Sequence, residues 1–316
     1  KESGEEINLN RYDQVIADAV QTVVRKQTDV GVDVVSDGEQ SKISYATYIK
    51  HRLNGFDGDS PRRTPKDLEE YPAFSKRASS SGGVPTYSRP QCVGPISVKD
   101  LKPLEVDLQN FKDALSASES TDAFMNAASP GVIAQFQPNQ HYPNHSSYLY
   151  ALADAMKVEY EGIAEAGLVI QIDSPDLALG RHVLFKDQSD EEFVTMAELH
   201  IEALNHALQN IPAEQLRLHV CWGNYQGPHH CDIEMKKILP AVLKAKPMAL
   251  SFEGANPRHS HEWSVFRDAK IPENKVLIPG VLDSMTNFVE HPELVAERIC
   301  RFADIVGRER VIAGSD

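Results

Sequence analysis

"LRLHVCWGNYQGPHHCDIEMKKILPAVLKAKPMALSFEG" (residues 216–254) reads as a strand, a helix and a second strand. An apolar, alternating run (216–223) ends on Gly-Asn, a segment with helical spacing follows (233–245), and a second apolar run closes the stretch (248–254). Runs this short with an amphipathic helix between them are the pattern of buried parallel strands joined by a crossover. The pattern recurs along the chain. Strands are predicted at 32–39, 131–138, 168–175, 216–223, 248–254, 276–283 and 310–316, and helices at 11–31, 147–167, 190–211, 233–245 and 291–307. Repeated strand-helix order implies a parallel sheet. With no Gly-rich phosphate loop and no sign of a strand-order switch, an α/β chain of this kind reads as a (β/α)8 TIM barrel rather than a dinucleotide-binding sheet.

Residues 1–316 therefore read as a single TIM-barrel domain that opens on a helix and closes on a strand, lacking its first strand and its C-terminal end. Residues 56–97, dense in Gly, Pro and Ser, read as a loop or hairpin excursion after the second barrel strand. An excursion of that length is usually functional or mobile.

A net charge of -14 and a pI near 5.3 oppose broad attraction to phosphate backbones or anionic membranes, so neither nucleic acid nor membrane is an expected partner. Charges interrupt every apolar stretch before the roughly 18 residues a transmembrane helix needs, and the acidic start "KESGEEINLNRYDQ" is unlike a signal peptide. A cytoplasmic protein is expected. Its four cysteines are widely spread apart from Cys221 and Cys231, in a chain long enough to fold without staples, so reduced thiols are expected. The sequence leaves the oligomeric state open.

In a barrel of this kind chemistry collects at the C-terminal ends of the strands. Those ends carry Asp37 and Glu39, Gln135 and Gln137, Asp173, His219 and Cys221, Glu253, Asp283, and Ser315 and Asp316. Asp also caps helices and turns, so each one alone has a bland explanation. His219 and Cys221 lie two apart on one strand and so share a face. Packing is one explanation, since Cys is among the most buried residue types. A metal is the other. Imidazole, thiolate and the Glu253 carboxylate suit a tetrahedral zinc, whose fourth ligand would come from another strand end, a segment outside the sequence, or the substrate. His229, His230 and Cys231 form a rival set, but adjacent residues usually point apart, which places them behind the site or in a substrate loop.

The segments "VVSDGEQSKISYATYI" (34–49), "QIDSPDLALG" (171–180), "LHVCWGN" (218–224), "LSFEGANPR" (250–258) and "IPGVLDSMTNFVEHPELVAERI" (278–299), in this order, resemble the catalytic domain of cobalamin-independent methionine synthases over roughly residues 30–316. The resemblance implies zinc-dependent methyl transfer from 5-methyltetrahydrofolate, which can be polyglutamated, to the thiol of homocysteine. It makes His219, Cys221 and Glu253 the zinc ligands, with a later Cys, beyond "VIAGSD", as the fourth. It assigns Glu39 and Asp173 to the amino acid's ammonium group, and Gln137 and Asn224 complete the substrate-binding candidates. Zinc turns a thiol with a pKa near 8.5 into a thiolate, while the folate nitrogen must gain a proton as it leaves.

One departure stands out. Where the family's methionine synthases place a histidine after the Val-x-Asp strand, this chain has Met285, which cannot donate a proton; Asp283 or a loop histidine would take that catalytic role. Two alternatives follow: zinc-dependent alkyl transfer to another thiol, as in epoxyalkane:coenzyme M transferases, or an inactive barrel used for binding. A sulfonate would call for basic residues in place of Glu39 and Asp173, so the carboxylates favour an amino-acid thiol. A barrel of the uroporphyrinogen decarboxylase kind would need arginines at the strand ends, where few stand. A polyglutamate tail would call for a basic patch, for which Arg62, Arg63, Lys66, Lys76 and Arg77 are candidates, with a solvated charge run as the other reading.

Overall fold

Residues 8–80 and 88–316 are described by a computed structural model of the chain. Contacts divide it into two units, 1–62 with 85–172 and 206–211, and 63–84 with 173–205 and 212–316.

In the first unit, Asn8 accepts from Arg11 N and caps a helix at Leu9–Asp29. The Gln27 amide of that helix clamps strand β1 (Val34–Ser36) in both directions, donating to Ser36 O at 2.8 Å and accepting from Ser36 N at 3.0 Å. Strands β2 (Leu53–Asp57) and β3 (Gln91–Val98) form an antiparallel hairpin with an irregularity between Asn54 and Phe56. Gly55 sits there at φ 96°, and a Cβ would lie 2.8 Å from Gly94 O, so only glycine fits. A helix at Lys102–Ser116 leads to β4 (Asp122–Ala128), which pairs with β1 in parallel. The helix His145–Glu165, capped by Asn144, leads to β5 (Val169–Asp173), giving the order β1-β4-β5.

The strand expected at 131–138 is a helix, Pro130–Phe136, and the strand of this repeat is β4. Ser129 caps the helix, its Oγ accepting from Val132 N at 2.9 Å, and Pro130 occupies the first turn, where its missing N–H costs nothing. Every residue from Pro130 to Gln135 is buried, so the apolar run carries no helical stripe to read.

In the second unit β6 (Leu216–Val220), β7 (Ala249–Phe252), β8 (Val276–Leu282) and β9 (Gly314–Ser315) pair in parallel in that order. Helices at Met235–Val242, Trp263–Asp268 and Pro292–Val306 lie between them, as expected of βαβ units. Phe252 of β7 stacks on Phe266 at 4.3 Å and both meet the edge of Phe302, so strand and helices share one aromatic core. The predicted helix at 190–211 stops at Ala207.

Of the 56–97 excursion, the described parts are the β2-β3 hairpin in the first unit and two helices, Lys66–Glu70 and Pro72–Ser80, beginning in the second; its Ser-Gly-rich stretch at 81–87 lies outside the described residues. No helix among the described residues is long and apolar enough to cross a membrane.

Candidate active site

Leu216, Leu218 and Val220 point into the core from one face of β6, and Arg217 and His219 take the other. His219 belongs to β6 and Cys221 follows the strand directly, two residues on. The loop after β5 fixes this strand end: Ser174 N donates to His219 O at 2.8 Å and Leu179 N to Cys221 O at 3.3 Å. Burial pushes the Cys221 thiol well up, the charges of Glu253 and Asp173 add to this, and a backbone hydrogen bond from Gly223 and the charge of Arg258 work against it. The sulfur thus sits in a field that favours a cation.

Glu253, 7% exposed, follows β7. Its Oε1 accepts from Trp222 N at 2.9 Å, and its Oε2 from Asn256 Nδ2 at 2.7 Å and Arg258 Nη2 at 2.8 Å. With a single donor, Oε1 keeps a lone pair. The turn that holds Glu253 is fastened by Asp316, whose carboxylate accepts from Gly254 N, Ala255 N and Asn256 N and from Asn256 Nδ2 at 2.7–3.2 Å. A Cβ on Gly280 of β8 would overlap that carboxylate, so glycine is required there. Arg258, Asn256 and the anchoring role of Asp316 escaped the sequence reading. "GANPR" reads as an ordinary turn, and its partner stands 60 residues downstream.

Behind this strand end lies a buried network. The Trp222 ring stacks on His259 at 3.9 Å. His259 bonds to Asp232 through Nε2 at 3.0 Å and to Glu262 through Nδ1 at 2.8 Å. Burial opposes its charged form, but those two hydrogen bonds and the charges of Glu253 and Glu262 win, raising it to about 9. His229 also bonds to Asp232 at 3.0 Å and stacks on Tyr225, whose hydroxyl donates to Asp67 at 2.7 Å. His182, wholly buried, stands between Asp67 and Asp232.

The remaining candidates are placed as follows. Asn224 is exposed on the loop after Cys221. Asp173 is buried at the end of β5. Asp283, half-buried after β8, accepts from Met285 N at 2.8 Å, while its own N donates to Glu290. In the first unit, Glu39 has a left-handed backbone (φ 52°) and pairs with the buried Lys42 at 3.1 Å, which also donates to Asn126 O. Gln137 is not at a strand end; it caps the Pro130–Phe136 helix, fully buried, with Nε2 donating to Ala46 O and Oε1 without a partner. Among the described residues, donor trios within 4.8 Å of one another are Glu70, His230 and Cys231, which is largely exposed, and Asp67, His182 and Asp232. His219, Cys221 and Glu253 are not among these trios, and the Glu253 carboxylate is engaged by Trp222, Asn256 and Arg258. His229 bonds to Asp232 and His230 to Glu70, so the His229, His230 and Cys231 set does not converge.

Parallel strands with imidazole, thiol and carboxylate at or just past their C-terminal ends give an α/β fold a polar site where such folds carry their chemistry. Residues 125–314 match the family described as cobalamin-independent synthase, catalytic domain, and the chain belongs to that family. It is 27% identical over 304 residues to methionine synthase of Saccharolobus solfataricus, covering 95% of this chain and 76% of that protein. It is 25% identical over 235 residues to methionine synthase of Sulfolobus acidocaldarius, covering 73% and 59%. Among solved structures it is similar to a B12-independent methionine synthase from Shewanella sp. W3-18-1 in complex with selenomethionine, with a TM-score of 0.72, 19% identity, and 98% and 82% of the two chains covered. That likeness carries the fold, an α/β protein of the (β/α)8 barrel class.

Proposed function

We infer that the chain is a methyltransferase that moves a methyl group to the sulfur of homocysteine, forming methionine, as its family does. The observation that carries the reading is His219 in β6 and Cys221 directly after that strand, with Glu253 directly after the neighbouring β7. Zinc is the proposed metal and 5-methyltetrahydrofolate the proposed donor. The donor set fits zinc: one imidazole with no hydrogen bond among the described residues, one thiol in a negative field, and a carboxylate oxygen with a free lone pair. Bound there, zinc would hold the substrate thiol as thiolate at neutral pH.

The chain's own residues supply the rest. Arg258 and Asn256 hold one oxygen of Glu253 and leave the other available, while Asp316 fixes the turn that carries all three. Asp173 accepts from the substrate ammonium; Glu39 and Gln137, in the first unit, and Asn224 keep the substrate-binding roles that the resemblance implies. Asp283 is the proposed acid for the leaving nitrogen. One of its oxygens accepts from Met285 N, which orients the carboxyl group. Four free cysteines suit a cytoplasmic setting.

The test is methyl transfer from 5-methyltetrahydrofolate to homocysteine, with metal content measured alongside. Cys221→Ser is expected to lose activity and one equivalent of zinc relative to wild type. Asp173→Asn is expected to keep metal and bind homocysteine about 10- to 100-fold more weakly, the worth of one charge-assisted hydrogen bond of roughly 1.5–3 kcal/mol. If Asp173→Asn lost its metal and kept homocysteine affinity, the two roles would be reversed. If metal-loaded wild type bound homocysteine and never turned over with folate, the donor would be a different alkyl group.

A further inference from the structure

One buried titratable cluster plays no part in the chemistry above. His182 and Asp67 are both 0% exposed, Asp232 is nearly buried, and one donor atom from each lies within 4.8 Å of the others. Neither ring nitrogen of His182 has a hydrogen-bond partner, and neither has Asp67 Oδ1. Three buried polar atoms without a partner at one point are an arrangement that folded proteins avoid unless something else satisfies them.

The distances say what is wanted there. His182 Nε2 stands 3.9 Å from Asp67 Oδ2 and Nδ1 stands 3.5 Å from Asp232 Oδ1, too far for direct hydrogen bonds. The other histidines of the same network bond to their carboxylates at 2.8–3.0 Å, so the gap is particular to His182. One ion can take only one of the two ring nitrogens; with one donor atom per residue the trio lies within 4.8 Å, so the ligands would draw in toward the roughly 3–3.6 Å at which two ligands of one small cation stand. Both carboxylates are already oriented from behind, Asp67 by the Tyr225 hydroxyl and Asp232 by His229 and His259, as outer hydrogen bonds orient metal ligands. Every described ion pair of these two carboxylates is to a histidine: Asp232 faces the protonated His259, while Asp67 meets only His182.

We propose that Asp67, His182 and Asp232 bind a first-row divalent metal ion, a second site separate from His219, Cys221 and Glu253. One nitrogen and two carboxylates form a harder donor set than one with a thiolate, suited to Mn²⁺, Co²⁺ or Zn²⁺. The ion has a structural consequence. Asp67 belongs to the excursion helix Lys66–Glu70, while Asp232 follows the loop after β6, so the ion staples that helix to the loop. The neighbouring bonds Tyr225–Asp67 and His230–Glu70 join the same two segments, and a Cβ on Gly227 would lie 2.6 Å from the Phe74 ring.

The test uses the full chain, stripped with chelator and reloaded with Mn²⁺, in a background that removes the thiolate site. Cys221→Ser is expected to retain about one Mn²⁺ per chain, visible as a protein-bound signal in electron paramagnetic resonance. Cys221→Ser with His182→Gln is expected to retain none, and Asp67→Asn in the same background, which keeps the side-chain shape, should give the same loss with unchanged circular dichroism. Amide exchange at residues 66–74 should slow on Mn²⁺ addition in Cys221→Ser and not in the double variants. The proposal is overturned if Cys221→Ser binds no ion, if the double variants bind as much as it does, or if His182 titrates as an imidazolium with no response to Mn²⁺.

Discussion

His259 is the residue where the network's electrostatics can be measured. Its hydrogen bonds to Asp232 and Glu262 outweigh the cost of burial and hold it protonated up to about 9. A histidine raised above its unfolded value near 6.5 contributes stability that is complete below about 6.5 and is lost as pH rises through about 9. The contribution is on the order of 3 kcal/mol. In chelator-treated protein, unfolding free energy should therefore fall between pH 6.5 and 9, and His259→Gln should flatten that arm. Equal slopes in the two proteins would mean that the charge on His259 is not what couples the network to folding. The individual acids of this network were poorly legible in the sequence for a physical reason. His219, Cys221 and Glu253 stand at strand ends, where the topology alone says they face the same end of the sheet. Asp67 sits in the excursion and His182 in a short helix, and nothing in local periodicity brings distant segments together.

At the scale of elements, legibility followed burial pattern. Strands β5 to β8 are short apolar runs bounded by turns; β5, β7 and β8 were readable within a residue or two of their observed bounds, and β6 ends three residues earlier than its run. The run at 131–138 misled because it is buried all round, which looks the same in a buried strand and a buried helix. The discriminating signal was Ser129-Pro130, a cap followed by a first-turn proline. Ser129→Ala should lower stability by about 0.5–2 kcal/mol in urea unfolding without changing the slope of the transition. No loss would show that the helix start is held by packing alone. The hairpin of β2 and β3 was foreseen only as an excursion, since its glycine-dependent irregularity at Gly55 depends on where Gly94 lies.

At the scale of the whole molecule, an excess of acidic groups meets a fold whose candidate site needs cations. Net charge of -14 makes the native state self-repelling, and the Debye length falls from about 14 Å to about 4 Å between roughly 0.05 and 0.5 M salt. Potassium chloride over that range should raise the unfolding temperature of chelator-treated protein by a few degrees, and a fall would mean that exposed ion pairs such as Lys186–Glu69 and Lys244–Glu198 outweigh the general repulsion. The carboxylate of Asp316 carries one more consequence, in time rather than in energy. Gly254, Ala255 and Asn256 surrender their N–H groups to a residue about 60 positions later, so a chain emerging from the ribosome N-terminus first has β6, β7 and Glu253 outside long before the group that fixes them. Until residue 316 emerges, the nascent site is assembled in outline and untied, and an ion arriving early would meet ligands that do not yet hold still.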